Sequence, residues 1–95
     1  MSDISVIIPV NEINETIEGY LEKCIQSINN QNIKPEKVYI VHADTKEVNN
    51  FFKSWEKPEE LNLEVLVNKE KTDFCSQVNY GVENIETEWF SILEV

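Results

Sequence analysis

Four short runs of apolar residues recur along the chain at intervals typical of strands. Residues 4–10 form a β-branched run that is too continuously apolar for a half-exposed strand, so we predict a strand buried on both faces. Residues 37–43 have the same character, and residues 63–67 alternate imperfectly. Residues 88–95 form the fourth apolar run. The pattern therefore predicts four β-strands.

Between these runs, apolar residues recur at three- and four-residue spacing, which predicts amphipathic helices. The first helix covers about residues 14–30 and ends before Pro35, and its apolar face comprises Ile17, Tyr20, Leu21, Cys24, Ile25 and Ile28. The second helix begins at Asp44 or Thr45, since either is a suitable N-cap, and Pro58 closes it. We expect its apolar stripe to pack on the sheet; the stripe consists of Val48, Phe51, Phe52 and Trp55.

The third helix begins at Thr72 or Asp73 and contains Gly81. Its apolar positions are Phe74, Val78, Val82 and Ile85. Glycine weakens a helix, so we interpret Gly81 as a place of close packing rather than as a break.

Strands and helices alternate in the order β-α-β-α-β-α-β, which predicts a three-layer, Rossmann-like α/β fold around a parallel sheet. Right-handed crossovers favour the strand order 3-2-1-4, with the topological switch point between the first and fourth strands. Ligands of such sheets bind beyond the carboxyl ends of the strands. The candidate site therefore comprises residues 9–12, residues 42–44, and Glu94 with the segment after it.

The chain has 95 residues, enough for one small domain over residues 1–95. Its net charge is −10, from 18 acidic and 8 basic residues, and every basic residue is a lysine. This excess of negative charge argues against nucleic acid as a partner. No signal peptide or membrane span is recognisable, and we interpret Cys24 and Cys75 as buried free thiols. We therefore expect a cytoplasmic location.

The turn after the first strand contains no glycine, so it has neither the dinucleotide-binding fingerprint nor a Walker sequence. The strand ends carry carboxylates and amides instead, namely Asn11, Glu12, Asp44 and Glu94. Such a set repels phosphate unless a divalent cation lies between them. Mg²⁺ or Mn²⁺, held by one or two carboxylates and by substrate phosphates, is the cofactor that this arrangement indicates.

Several segments resemble family 2 glycosyltransferases of the GT-A fold. Residues 4–10, residues 21–28 with Gln31, and the second strand with its acidic turn are similar to the opening of that family. Residues 78–82 resemble the family's RNxGI helix pattern, and residues 88–95 resemble the strand that enters its DxD motif. The resemblance covers essentially the whole chain. It implies a nucleotide-diphospho-sugar donor, of the UDP-sugar type, and transfer of the sugar to an acceptor.

The resemblance also implies roles for particular residues. Nucleoside contacts would fall to Pro9, Val10, Asn11 and Glu12. Ala43 stands where the family has its base-recognising acid, and Asp44 comes one place later. Glu94 would be the first acid of the DxD motif and therefore a metal ligand.

Some polar residues have two interpretations. Lys71 precedes the third helix near the sheet edge, so it is either a solvated surface charge or a contact to the diphosphate. Asn79 serves either helix packing or a polar contact in the nucleotide site, and Asp44 serves as a helix cap, as a nucleoside contact or as both. His42 has no cysteine or histidine companion in the sequence, so we interpret it as an ordinary structural residue.

Because the sequence stops inside the DxD-like motif, we expect an N-terminal, nucleotide-binding part of a longer enzyme. The isolated piece would then be inactive, since an acceptor pocket and a catalytic base would lie elsewhere. One alternative is a non-catalytic α/β interaction module derived from that fold. A phospho-receiver domain fits less well, because Asn68 occupies the place of its phosphorylated aspartate.

Overall fold

The computed structural model describes residues 4–69 and 74–93. Its centre is a four-stranded parallel sheet in the order β3-β2-β1-β4. The strands are β1 (Ile4–Val10), β2 (Lys37–Ala43), β3 (Leu63–Asn68) and β4 (Trp89–Ile92). The predicted fold class and strand order are confirmed.

Three helices connect the strands: α1 (Glu15–Asn29), α2 (Lys46–Ser54) and α3 (Phe74–Asn84). The side chain of Asn14 caps α1 by accepting a hydrogen bond from the Ile17 amide at 2.9 Å. Thr45 caps α2, since its Oγ1 accepts from the Val48 amide at 3.3 Å. The two predicted caps of α3, Thr72 and Asp73, lie outside the described residues.

Successive residues of each strand face opposite sides of the sheet, and the helices divide accordingly. Helices α1 and α2 cover one side, with a core of Val6, Ile8, Val10, Leu21, Ile25, Ile28, Val38, Ile40, Val48, Leu61 and Leu63. Helix α3 covers the other side over Ile7, Tyr39 and Val41. Strand β1 is buried on both faces from Ser5 to Val10, as the continuous apolar run predicts.

Gly81 allows α3 to approach the sheet closely. A Cβ at this position would lie 2.9 Å from Cγ2 of Ile7 and 3.2 Å from Cγ2 of Val41. The helix continues through Gly81 without a break. The interpretation of this glycine as a packing position is confirmed.

Strand β4 begins one residue later than predicted and is exposed. It spans Trp89–Ile92, all four of these residues are exposed, and residues 94–95 of the predicted strand lie outside the described residues. Trp89 is 63% exposed and Phe90 43%. Among the described residues it lies at the edge of the sheet, with β1 as its one strand neighbour.

Two predictions of burial and one helix boundary are corrected by the structure. Cys75 is exposed instead of lying in the core, whereas Cys24 is half-buried and packs against the core. Tyr20 is also exposed, because the face of α1 that meets the sheet centres on Leu21, Ile25 and Ile28. Helix α2 ends at Ser54, well before Pro58, with the next residue in extended conformation.

Candidate functional site at the carboxyl edge of β1 and β2

The ends of β1 and β2 leave the sheet side by side. Val10 pairs with His42 in the β1–β2 register, so the turn that begins at Asn11 lies beside the one that begins at Asp44. On the far side of β2, Ala43 pairs with Asn68 at the end of β3. The topology thus brings residues 9–12 and 42–44 together, as the sequence predicts.

At the end of β1, exposure rises residue by residue. Pro9 and Val10 are buried, Asn11 is half-buried and already engaged in an interaction, and Glu12 is exposed. Pro9 and Val10 are the buried part of this edge, and the side chains of Asn11 and Glu12 are its accessible part. This arrangement offers polar groups next to a buried apolar base.

Pro9 lacks an N–H group on the side of β1 that faces β4. The Ile7 carbonyl accepts a hydrogen bond from the Leu93 amide at 3.0 Å, so alternate residues from Ile7 onward direct their backbone groups toward β4. Pro9 is the next of these residues, and it has no N–H to donate. Pro9 therefore donates no backbone hydrogen bond on the side of the topological switch point.

His42 at the end of β2 is turned into the protein. Its side chain is buried, and its ring stacks on Phe52 with centroids 4.6 Å apart. The Nδ1 atom lies 2.9 Å from the Ala43 carbonyl oxygen, which accepts a hydrogen bond when that nitrogen carries the proton. These contacts support the structural interpretation of His42.

Asp44 is the exposed acid next to it. One carboxylate oxygen, Oδ1, accepts a hydrogen bond from Nδ2 of Asn49 at 2.6 Å. Because Thr45 and not Asp44 caps α2, the predicted capping role of Asp44 is corrected. The carboxylate is therefore held by a neighbour on α2 while it remains accessible to solvent.

The other predicted site residues are placed differently. Asn79 is exposed on α3, between Gln77 and Gly81, which are buried on the sheet-facing side of the helix. A packing role for Asn79 is therefore wrong, and its side chain faces away from the sheet. Lys71 and Glu94 lie outside the described residues.

Sequence reasoning missed two buried polar residues on the α3 side of the sheet. Asn68 at the end of β3 is 3% exposed, and Gln77 is fully buried. Both take part in interactions. Gln77 lies four residues before Gly81, and that spacing places both on one helix face.

Neither pKa shift resolved among the described residues involves this edge. Burial raises the pKa of the Cys24 thiol on α1. A hydrogen bond to Glu64, at 2.8 Å, raises the pKa of Lys37 at the opposite end of β2.

The family model of glycosyl transferase family 2 matches residues 5–94. This chain belongs to that family. No curated protein and no solved structure gives a significant match. This family 2 chain has a parallel sheet with the strand order 3-2-1-4. That sheet is consistent with the Rossmann-like GT-A fold that the sequence predicts.

The described acidic residues of this edge do not form a complete metal site by themselves. Within residues 4–69 and 74–93, no three acidic, histidine or cysteine side chains come together to hold a metal ion. The available donors, Glu12 and Asp44, are carboxylates, which match the oxygen preference of Mg²⁺ and Mn²⁺. Such a cation would need further oxygen ligands, from phosphate or from a residue such as Glu94.

The helices of this family 2 chain are short or amphipathic. None of the described ones is both long and apolar enough to cross a membrane.

Proposed function

We propose that the carboxyl edge of β1 and β2 binds the nucleotide of a nucleotide-diphospho-sugar of the UDP-sugar type. The sugar of this donor is then transferred to an acceptor hydroxyl. The observation that carries this proposal is the pairing of Val10 with His42, which puts the two turns side by side in a family 2 chain. The ends of parallel strands at a switch point are the usual place for such a ligand.

Each residue of the edge has a chemical role in the proposal. Pro9 and Val10 are buried, so they would contact the nucleoside through backbone atoms, and Asn11 and Glu12 offer hydrogen-bonding groups to the ribose. Asp44 offers a carboxylate that accepts hydrogen bonds from ribose hydroxyls or from a base N–H, and Asn49 fixes its orientation. The carboxylate and the amides are the chemical basis for recognising the nucleoside.

Three further residues belong to the proposal from the sequence alone. Lys71 would contact the diphosphate, Asn79 would make a polar contact to the ligand, and Glu94 would bind Mg²⁺ or Mn²⁺. The exposed position of Asn79 on α3 gives it less support than the β1 and β2 residues have. A bound divalent cation would stabilise negative charge on the departing diphosphate.

A cytoplasmic location remains part of the proposal, with two free thiols in its support.

Calorimetric titration of the 95-residue chain with UDP tests nucleotide binding. The titration is carried out once in the presence of Mn²⁺ and once in the presence of EDTA. We expect saturable binding that is tighter with Mn²⁺ than with EDTA. Amide NMR shifts should localise to residues 9–12 and 42–44. No binding at millimolar UDP with Mn²⁺, or shifts confined to other segments, contradicts the proposal.

A second candidate is a non-catalytic interaction module of the same fold. Ala43 favours it, because this small, fully buried residue stands where family 2 has its base-recognising acid. The same titration separates the two functions. If the chain is folded and does not bind UDP with Mn²⁺ or with EDTA, the result supports the interaction module.

A further inference from the structure

A groove of about 500 Å³ lies between α1 and α2, on the outer side of the helical layer. Its floor is formed by Ile25, Phe51 and Trp55. Glu18 and Glu22 on α1 and Glu56 after α2 also line it. This groove runs along the helices, whereas the proposed nucleotide site lies at the end of the strands.

The apolar floor of the groove is held in place by the core. Ile25 is buried, and Phe51 and Trp55 both pack edge-on against Phe52, with ring centroids 4.9 Å and 5.6 Å from it. Phe52 in turn stacks on buried His42. Aromatic side chains fixed in this way lose little freedom on binding, so the floor is prepared for an apolar contact.

The charge of the groove selects its occupant. Three glutamates line it, and none of its described lining residues is basic. A second copy of the chain would add another net charge of −10, so self-association here is opposed by repulsion. Lysine or arginine side chains next to apolar ones complement both the rim and the floor.

We infer that this groove binds a basic amphipathic helix of a partner protein. The α1 side of the groove extends from Glu18 to Asn29, about 16 Å at the rise of an α-helix, which corresponds to about three turns. Apolar side chains at helical spacing fill the space over Phe51 and Trp55, and the flanking cations approach the glutamates. This inference does not depend on sugar transfer.

The test uses a synthetic amphipathic peptide with leucine at the core-facing helical positions and lysine elsewhere. Trp89 is exposed on β4, so the W89F variant keeps the fold and leaves Trp55 as the only tryptophan. We expect the peptide to shift Trp55 emission to shorter wavelength with saturation, and to bind more weakly as salt increases. A control peptide in which glutamate replaces every lysine should leave the Trp55 emission unchanged.

Two double variants with equal net charge locate the binding. E22Q/E56Q removes two groove glutamates, whereas E83Q/E88Q removes two exposed glutamates elsewhere. We expect E22Q/E56Q to weaken peptide binding about fivefold and E83Q/E88Q to change it less than about twofold. Equal weakening in both variants overturns the inference, because attraction to the overall charge then explains binding.

Two further results decide between occupants. N-acetyl-arginine amide that produces the full Trp55 shift overturns the inference in favour of a small cation site. A dimer of the chain alone that becomes tighter in E22Q/E56Q, where repulsion between the two copies is smaller, overturns it in favour of self-association. A saturable shift with the lysine peptide only, with binding about fivefold weaker in E22Q/E56Q than in the unmodified groove, supports it.

Discussion

The imidazole ring of His42 lies nearly parallel to the ring of Phe52, with an interplanar angle of 13°. The contact joins the end of β2 to the helix that comes after it. Because Phe52 also touches Phe51 and Trp55, one buried histidine supports the end of the strand and the aromatic face of α2. A residue type associated with catalysis therefore serves packing here.

Replacing this histidine with alanine removes the stacked ring and leaves a cavity. We expect H42A to lower the free energy of unfolding by about 2–4 kcal/mol, as for other large-to-small changes in a core. Urea denaturation followed by circular dichroism measures it. D44N, two residues along and exposed, is the control and should change stability by less than about 0.5 kcal/mol. An unchanged midpoint for H42A would show that the ring does not support the core.

The two glycines of the chain form a matched pair. A Cβ at Gly19 meets no atom within 4 Å, whereas one at Gly81 approaches Cγ2 of Ile7 at 2.9 Å. G19A should stabilise α1 by about 0.5–1 kcal/mol through helix propensity. G81A should instead destabilise by about 1–3 kcal/mol, because the added methyl group overpacks the sheet. Thermal denaturation of both variants tests this; equal shifts in the same direction would argue against the close approach of α3.

The carboxylate of Asp44 provides a test of the proposed nucleotide site. We expect D44A to weaken UDP binding about tenfold, because a ligand would lose a charged hydrogen-bond acceptor. N49A should weaken it less, since it frees the carboxylate without removing it. E36Q, an exposed acid just before the opposite end of β2, is the control and should have no effect. Calorimetry gives all three affinities, and equal losses for D44A and E36Q would point to net charge instead of a site.

The two thiols should differ in reactivity. Cys75 is exposed, whereas Cys24 is half-buried. Burial raises the pKa of the Cys24 thiol, so a smaller fraction of Cys24 is thiolate at a given pH. Cys75 should react with a disulfide reagent faster by on the order of tenfold near pH 8. In C75S only the slow phase should remain, and it should accelerate as the pH increases. Two equally fast phases in the unmodified chain would contradict the placement of Cys24.

Long apolar runs made the centre of the fold predictable. The bounds of β1 and β2 follow from runs that are buried on both faces, and strand order follows from the handedness of the crossovers. The face of α3 was less predictable, because a fully buried polar residue, Gln77, occupies a position where apolar periodicity expects none. The prediction of a buried Cys75 is wrong, since Gln77 lies on the buried face of α3 and Cys75 is exposed.

The candidate site was predictable to the level of the sheet edge. A general rule for parallel sheets placed Val10 and Asp44 at one edge, and the register of β1 and β2 agrees. The bond between Asn49 and Asp44 was not predictable, since it depends on two side-chain conformations across the start of a helix. The choice of Thr45 over Asp44 as the cap has the same origin, because both residue types suit that position.

The hydroxyl group of Ser5 lies 2.7 Å from that of Thr87, a residue 82 positions later in the sequence. Thr87 donates its own proton to the Trp89 carbonyl, so Ser5 is the donor of the pair. One side of the central strand is thus completed by a segment that the ribosome synthesises long after β1 and β2. Closing so long a loop is slow relative to pairing β1 with β2, so of the four strands β4 should join the sheet last during biosynthesis. Until then β1 presents an open edge, and the nascent chain is most open to aggregation at that stage.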